Sequence, residues 1–180
     1  MCVSKETSIR TFFIGLLSGI ILYKKGQGFY GLFLSAVSLV QLGEYFMWSD
    51  LTCEKGLNRI GNIIVVVSAA LQLFLHAKDT PRQWVVPLLF VASVLLTNPS
   101  FCATETSQGH LRWGFSYMIP LALYLGEMLM HSPNTSPTAR NIFYGMFLMS
   151  LITIPFPGWP SWWCYISNSV GPLFLLLNPE

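Results

Sequence analysis

Two glutamates lie inside long apolar stretches of this sequence, where a carboxylate is costly. Glu44 occurs in LGEYFMWS and Glu127 in LGEMLMHS, and five of the eight positions match at an offset of 83 residues. The chain has eight acidic residues, and only these two fall within apolar segments. Ionisable groups inside a membrane span are candidates for functional sites. Because burial favours the protonated form of a carboxylic acid, the pair could bind a cation or exchange protons.

Other polar side chains could complete a path for such an ion. Positions three or four residues apart share a face of a helix, so Gln41 accompanies Glu44 and His131 accompanies Glu127. The further candidates for a transport path come from a third and a seventh apolar segment, and they are Ser68, Gln72, His76 and Asn168. The alternative is that each glutamate only ties helices together, since interhelical polar contacts contribute about 0.6 kcal/mol on average.

Tryptophans are concentrated at the end of the predicted helices where Lys5 lies, which we call side A; the opposite end is side B. The side-A group contains five of the six tryptophans, namely Trp48, Trp113, Trp159, Trp162 and Trp163. An interfacial aromatic belt would explain this bias. A stacking or cation–π site is the alternative interpretation.

All four cysteines also fall on side A. A disulfide among Cys53, Cys102 and Cys164 is expected if this side faces an oxidising compartment, whereas free thiols are expected if it faces the cytosol. The spacing of the cysteines does not choose between these possibilities, nor among the three pairings.

The sequence offers no catalytic constellation. It contains no CxxC pair, and its three histidines are spread over both sides, so no metal site is expected. A phosphate loop, a nucleophile elbow and an HExxH motif are all missing. None of the five lysines lies in the seventh apolar segment, which argues against a retinal Schiff base. We therefore expect no cofactor and no enzymatic activity.

The composition predicts an integral, multi-pass membrane protein. Hydrophobic residues make up 53% of the 180 positions and charged residues only 10%, whereas a soluble domain carries about 25% charged residues. The net charge of +2 and the absence of a basic stripe argue against a nucleic-acid partner. The seven apolar segments are Ile9–Tyr23, Phe29–Trp48, Ile60–Ala77, Trp84–Thr97, Gly114–Met130, Asn141–Ile154 and Trp162–Leu177.

These segments predict an all-α transmembrane bundle of six or seven spans. The first, fourth and sixth segments are the shortest, at 14 or 15 residues, whereas a spanning helix needs about 20 residues and at least about 17. The two glutamates belong to the second and fifth segments, and a shift of three helices reverses the direction of the chain. We therefore predict an inverted three-helix repeat, with halves at 1–83 and 84–160 and an extra helix at 161–180. Lysines and arginines divide five to five between the sides and leave the orientation open.

One motif carries a resemblance to known proteins. The pattern Gln41-x-x-Glu44-x-x-x-Trp48, followed by Asn58 and by Trp163-Cys164, resembles short motifs of small multi-helix membrane proteins of large DNA viruses and protists. The resemblance implies the membrane class and marks Gln41, Glu44 and Trp48 as family-like positions. It implies no activity.

Together these features predict a channel or transporter for an ion, a proton or a small solute, with the glutamates along the path. We expect it to lie in the lipid bilayer as a homo-oligomer, since a chain of 20.2 kDa is small for such a role. The alternative is a non-catalytic structural or accessory protein of a larger assembly or of a virion membrane.

Overall fold

A computed structural model of the chain describes residues 4–77, 84–97, 99–107 and 109–115. Within these residues the helices are α1 (Lys5–Lys24), α2 (Gly28–Trp48), α3 (Leu57–His76) and α4 (Val85–Leu96), and two short strands follow as β1 (Thr104–Glu105) and β2 (Leu111–Arg112). The first three helices are long and apolar enough to cross a membrane. The predicted helical class is thus confirmed for this part of the chain, and three of its helices have the length and composition of membrane spans.

The predicted inverted repeat and the count of six or seven spans stay predictions. The fifth, sixth and seventh segments lie almost entirely beyond Phe115, outside the described residues. Only the first half of the proposed repeat, 1–83, is described over most of its length.

Helix α1 reaches spanning length by recruiting polar residues at both ends. The predicted apolar segment Ile9–Tyr23 is too short, but the helix begins at Lys5 and ends at Lys24. The Ser4 hydroxyl caps its first turn by accepting a hydrogen bond from the backbone N–H of Thr7, at 3.2 Å. A basic residue in the last turn, Lys24, also complements the helix dipole. The polar flanks therefore supply the missing turns.

Pairs of glycines let α2 pack closely against both of its neighbours. A Cβ atom added at Gly31 would lie 2.6 Å from the carbonyl oxygen of Gly19 on α1. A Cβ added at Gly43 would lie 2.7 Å from the carbonyl oxygen of Gly61 on α3. Real side chains do not tolerate such distances, so both helix crossings depend on the absence of a side chain. Helix α2 is consequently the central helix of the first three.

Helix α4 is much shorter than the others. Its 12 residues span about 18 Å, whereas a helix of 20 residues spans about 30 Å. Pro99 follows shortly after the helix end and cannot extend the hydrogen-bonding pattern. The shortness of the predicted fourth segment is therefore seen in the helix itself, and the residues that follow α4 are not helical.

A β-hairpin packs into the space beyond the end of α4. We call residues 99–115 the docked hairpin. Its antiparallel strands pair Thr104 with Arg112 and Glu105 with Leu111. Its apolar side chains Ala103, Leu111 and Phe115 are buried in one hydrophobic cluster with Val65, Leu73, Phe90 and Val94 of α3 and α4. The hairpin is therefore part of the core and not a loop over the surface.

Candidate functional site

Glu44 lies under the docked hairpin. Its side chain is 0% exposed, and its carboxylate oxygen Oε1 accepts a hydrogen bond from the indole nitrogen Nε1 of Trp113 at 3.2 Å. Glu44 is one turn before the end of α2, about 6 Å along the helix axis from that end, and the Trp113 side chain reaches it from the hairpin. The sequence analysis assigned these residues to separate groups, a transport path and an aromatic cluster. The structure brings them together.

A buried asparagine on α3 holds the first arm of the hairpin. The side-chain amide of Asn58 donates to the carbonyl oxygen of Ala103 at 3.0 Å, and its Oδ1 accepts from the backbone N–H of Ala103 at 2.7 Å. The same amide donates to the carbonyl oxygen of Asp50 at 3.1 Å. Asn58 thus pairs with Ala103 as a neighbouring strand would, and both residues are fully buried.

A second asparagine, one turn deeper, binds both arms. The amide nitrogen of Asn62 donates to the carbonyl oxygen of Phe101 at 3.2 Å, while its Oδ1 accepts from the backbone N–H of Gly114 at 2.8 Å. The N–H of Phe101 donates in turn to the carbonyl oxygen of Gly114 at 2.9 Å. Buried backbone polar groups need hydrogen-bond partners, and Asn58 and Asn62 supply them to both arms of the hairpin.

Asp50 organises the loop that precedes α3. Its carboxylate accepts hydrogen bonds from the backbone N–H groups of Lys55, at 3.2 Å, and of Asn58, at 3.3 Å. Burial alone would raise the pKa of this carboxyl group, but the backbone N–H groups of Lys55, Asn58, Leu57 and Glu54 together outweigh it and lower the pKa below the ordinary value of 3.8. Asp50 is therefore ionised at neutral pH, and its carboxylate fixes the start of α3, where Asn58 binds the hairpin.

A disulfide joins the same two regions covalently. Cys53, in the α2–α3 loop, is bonded to Cys102 in the first arm of the hairpin, with their Cα atoms 5.9 Å apart. This is one of the three pairings that the spacing of the cysteines left open. Cys164 lies outside the described residues.

Buried polar side chains occur at several levels of α2 and α3 between Glu44 and the side-B end of α3. We call this set the polar seam, and its members are Gln41, Glu44, Ser68, Gln72 and His76. Each is at most 7% exposed. The Ser68 hydroxyl donates to the carbonyl oxygen of Ala36 in the middle of α2, at 2.6 Å, and the Gln72 amide donates to the Ser68 hydroxyl at 3.2 Å.

The seam extends over most of the height of α2 and α3. His76 lies in the last turn of α3 on side B, with its ring centroid 6.4 Å from that of Phe29 at the start of α2. Glu44 lies near the opposite end of α2. Polar groups are thus buried near both ends of the helix pair and at its middle.

Several predicted site residues lie outside the described part of the chain. They are Glu127, His131, Asn168, Trp159, Trp162 and Trp163. Of the side-A tryptophans within it, Trp113 contacts Glu44, and Trp48 is half-buried against the hydrophobic cluster. The second glutamate, and with it the pseudo-symmetric pair, stays a prediction.

The sequence analysis missed most of the residues that hold the hairpin. Asn62 and Asp50 were not among the candidates, and Asn58 entered only as a motif residue. One local signal was present, because Asn58 and Asn62 are four residues apart near the start of an apolar segment and so share a helix face. Their partners, Ala103 and Gly114, could not be read from that spacing.

Comparison with known proteins adds nothing to this geometry. No family model, curated protein or solved structure matches this chain. The resemblance of the Gln41, Glu44 and Trp48 motif to viral and protist membrane proteins accordingly stays a prediction.

Proposed function

We propose that the protein is a membrane channel or transporter that moves protons or a small cation, with Glu44 as the exchanging carboxylate. The observation that carries the proposal is the complete burial of Glu44 inside a helix long and apolar enough to cross a membrane. Burying a carboxylate at such a position costs free energy unless a proton, a cation or a partner neutralises its charge. A carboxylate inside a membrane span is therefore a candidate for a functional group.

The hydrogen bond from Trp113 suits this role. An indole N–H is a neutral donor, so it stabilises the carboxylate without cancelling its charge. The bond to Oε1 can also persist when the carboxyl group is protonated, because the acceptor oxygen keeps a lone pair. Glu44 could therefore change its protonation state or release a cation without losing its place under the hairpin.

The polar seam supports movement beyond Glu44. Hydroxyl, amide and imidazole groups accept and donate hydrogen bonds, and they can relay protons or replace part of the hydration shell of a cation. Ser68, Gln72 and His76 carry such groups from the middle of α3 to its side-B end.

The docked hairpin would act as the cap of this path on side A. It is fixed by a covalent bond at Cys102 and by the asparagine contacts at Ala103 and Gly114. A path that ends beneath a fixed cap requires either movement of the Trp113 side chain or an exit formed by the part of the chain beyond Phe115. This favours a gated or alternating protein over a permanently open pore.

The test is flux through purified protein in liposomes, compared between wild type and two variants of Glu44. Glu44→Gln keeps an oxygen that accepts from Trp113 but cannot ionise, whereas Glu44→Ala removes both properties. We expect Glu44→Gln to reduce proton or monovalent cation flux at least tenfold with unchanged folding. Glu54→Gln, which removes an exposed carboxylate of the α2–α3 loop, is the matched control and should retain flux.

A second candidate function is structural, and the same hydrogen bond favours it. Glu44 would then serve only to anchor Trp113 and the hairpin, and the protein would be a non-catalytic component of a larger membrane assembly. In that case wild type carries no flux of protons, alkali cations or small neutral solutes, Glu44→Gln behaves as wild type, and Glu44→Ala loses stability. The two proposals therefore differ in whether wild type carries flux and in whether Glu44→Gln reduces that flux.

A further inference from the structure

The disulfide between Cys53 and Cys102 bears on the orientation of the bundle, which the charge distribution left open. Cys53 follows α2 and Cys102 follows α4, so the bond requires the ends of these two helices to share one side of the bundle. The start of α1 lies at this end as well, since the ammonium group of Lys5 lies 5.0 Å from the ring centroid of Tyr45 in the last turn of α2.

The two cysteines are held together by contacts that do not depend on their oxidation state. Asn58 fixes Ala103, the neighbour of Cys102, through two hydrogen bonds to its backbone. Asp50 fixes the loop that contains Cys53 through the N–H groups of Lys55 and Asn58. The thiols would therefore meet in the folded protein wherever an oxidant is present.

Compartments differ in whether such a pair is oxidised. Disulfides form and persist in secretory and extracytoplasmic compartments, whereas cytosolic thiols are kept reduced by glutathione and thioredoxin. A pair that is joined in the folded state, links the α2–α3 loop to the docked hairpin and belongs to no CxxC motif has the character of a permanent bond. It does not resemble a catalytic redox pair.

We propose that the end of the bundle carrying Cys53 and Cys102 faces an oxidising, non-cytosolic compartment, and that their disulfide is a constitutive bond of the mature protein. The bond forms by thiol–disulfide exchange: the two thiols reduce one disulfide of a protein oxidant in that compartment to two thiols, and their two protons and two electrons pass to it. The α1–α2 turn with Lys24 and Lys25 then faces the cytosol. This inference is independent of transport and stands whether or not flux is found.

Two measurements on a Cys2→Ser/Cys164→Ser background test the proposal. For the oxidation state, free thiols are blocked with N-ethylmaleimide, and the denatured protein is treated with maleimide-polyethylene glycol before and after reduction. We expect two adducts after reduction and none before it. In a parallel sample, the N-ethylmaleimide step and the reductant are both left out. Adducts on Cys53 and Cys102 in that sample would show free thiols and would overturn the constitutive bond.

For the orientation, single reporter cysteines are labelled with a membrane-impermeant maleimide in sealed microsomes of expressing cells. Lys55→Cys and Lys25→Cys form a matched pair, since both positions are exposed and lie at opposite ends of α2 and α3. We expect Lys25→Cys to react in sealed microsomes and Lys55→Cys only after permeabilisation. A cysteine at position 55 could exchange with the nearby disulfide of Cys53, so Lys5→Cys serves as a second reporter for the same side. We expect Lys5→Cys to be labelled only after permeabilisation, like Lys55→Cys. Labelling of Lys55→Cys in sealed microsomes, with Lys25→Cys labelled only after permeabilisation, would overturn the orientation.

Discussion

The indole N–H of Trp113 donates a hydrogen bond to the carboxylate of Glu44, 69 residues earlier in the sequence, across 3.2 Å. The bond connects the second arm of the docked hairpin to the central helix of the first three. It also gives a fully buried acidic group a donor that carries no charge. The docked hairpin and the buried carboxylate of Glu44 therefore stabilise each other through this bond.

Removing only this donor tests the dependence. Trp113→Phe keeps an aromatic ring but lacks the N–H, and we expect it to lower the free energy of unfolding by about 1–3 kcal/mol. The measurement is denaturant titration in detergent micelles. Trp48→Phe is the control, since its indole does not donate to Glu44, and a similar loss in both variants would contradict a specific role for the bond.

The Asn58 amide should be the larger contributor to the stability of the hairpin. Asn58→Ala leaves the buried N–H and C=O groups of Ala103 without their partner, and we expect a cost of about 2–4 kcal/mol because two buried polar groups lose their hydrogen bonds. Hydrogen exchange of a peptide covering residues 99–107 should rise in parallel. Arg59→Ala alters the exposed neighbour on α3 and should leave both quantities unchanged.

Acid should weaken the loop that supports Asn58. The pKa of Asp50 is lowered in the folded protein, so the folded state binds fewer protons than the unfolded state near that pKa. The stabilisation is therefore complete at pH values above the ordinary pKa of 3.8 and is lost as the pH falls through the lowered pKa. Melting temperatures between pH 7 and pH 2.5 should show this loss in wild type. The loss should be smaller in Asp50→Asn and unchanged in Glu54→Gln.

Close packing of α2 and α3 predicts sensitivity at Gly43. Gly43→Ala would place a methyl group 2.7 Å from the carbonyl oxygen of Gly61, and we expect the forced separation of the helices to cost about 1–3 kcal/mol. Gly28→Ala is a matched control, because its added methyl group would lie at an ordinary distance of 3.7 Å from the ring of Tyr23. Equal melting temperatures for the two variants would show that the crossing is more tolerant than this geometry implies.

The sequence by itself determined the helices and pointed to Glu44. Uninterrupted apolar runs must form helices in a membrane because the backbone has no other partners there, and the predicted second segment, Phe29–Trp48, differs from α2 by one residue at its start. A single carboxylate in such a run also stands out without any structure. Both signals are local, since they depend on residues within a few turns of one another.

Only the tertiary structure decided what Glu44 and the cysteines contact. Trp113 lies 69 residues from Glu44, Cys102 lies 49 residues from Cys53, and Ala103 lies 45 residues from Asn58. The hairpin that brings them together has strands of two residues each, too short for an alternating pattern to reveal. Its position follows from the shortness of α4 and from buried amides that satisfy its backbone, and these are properties of the packed bundle.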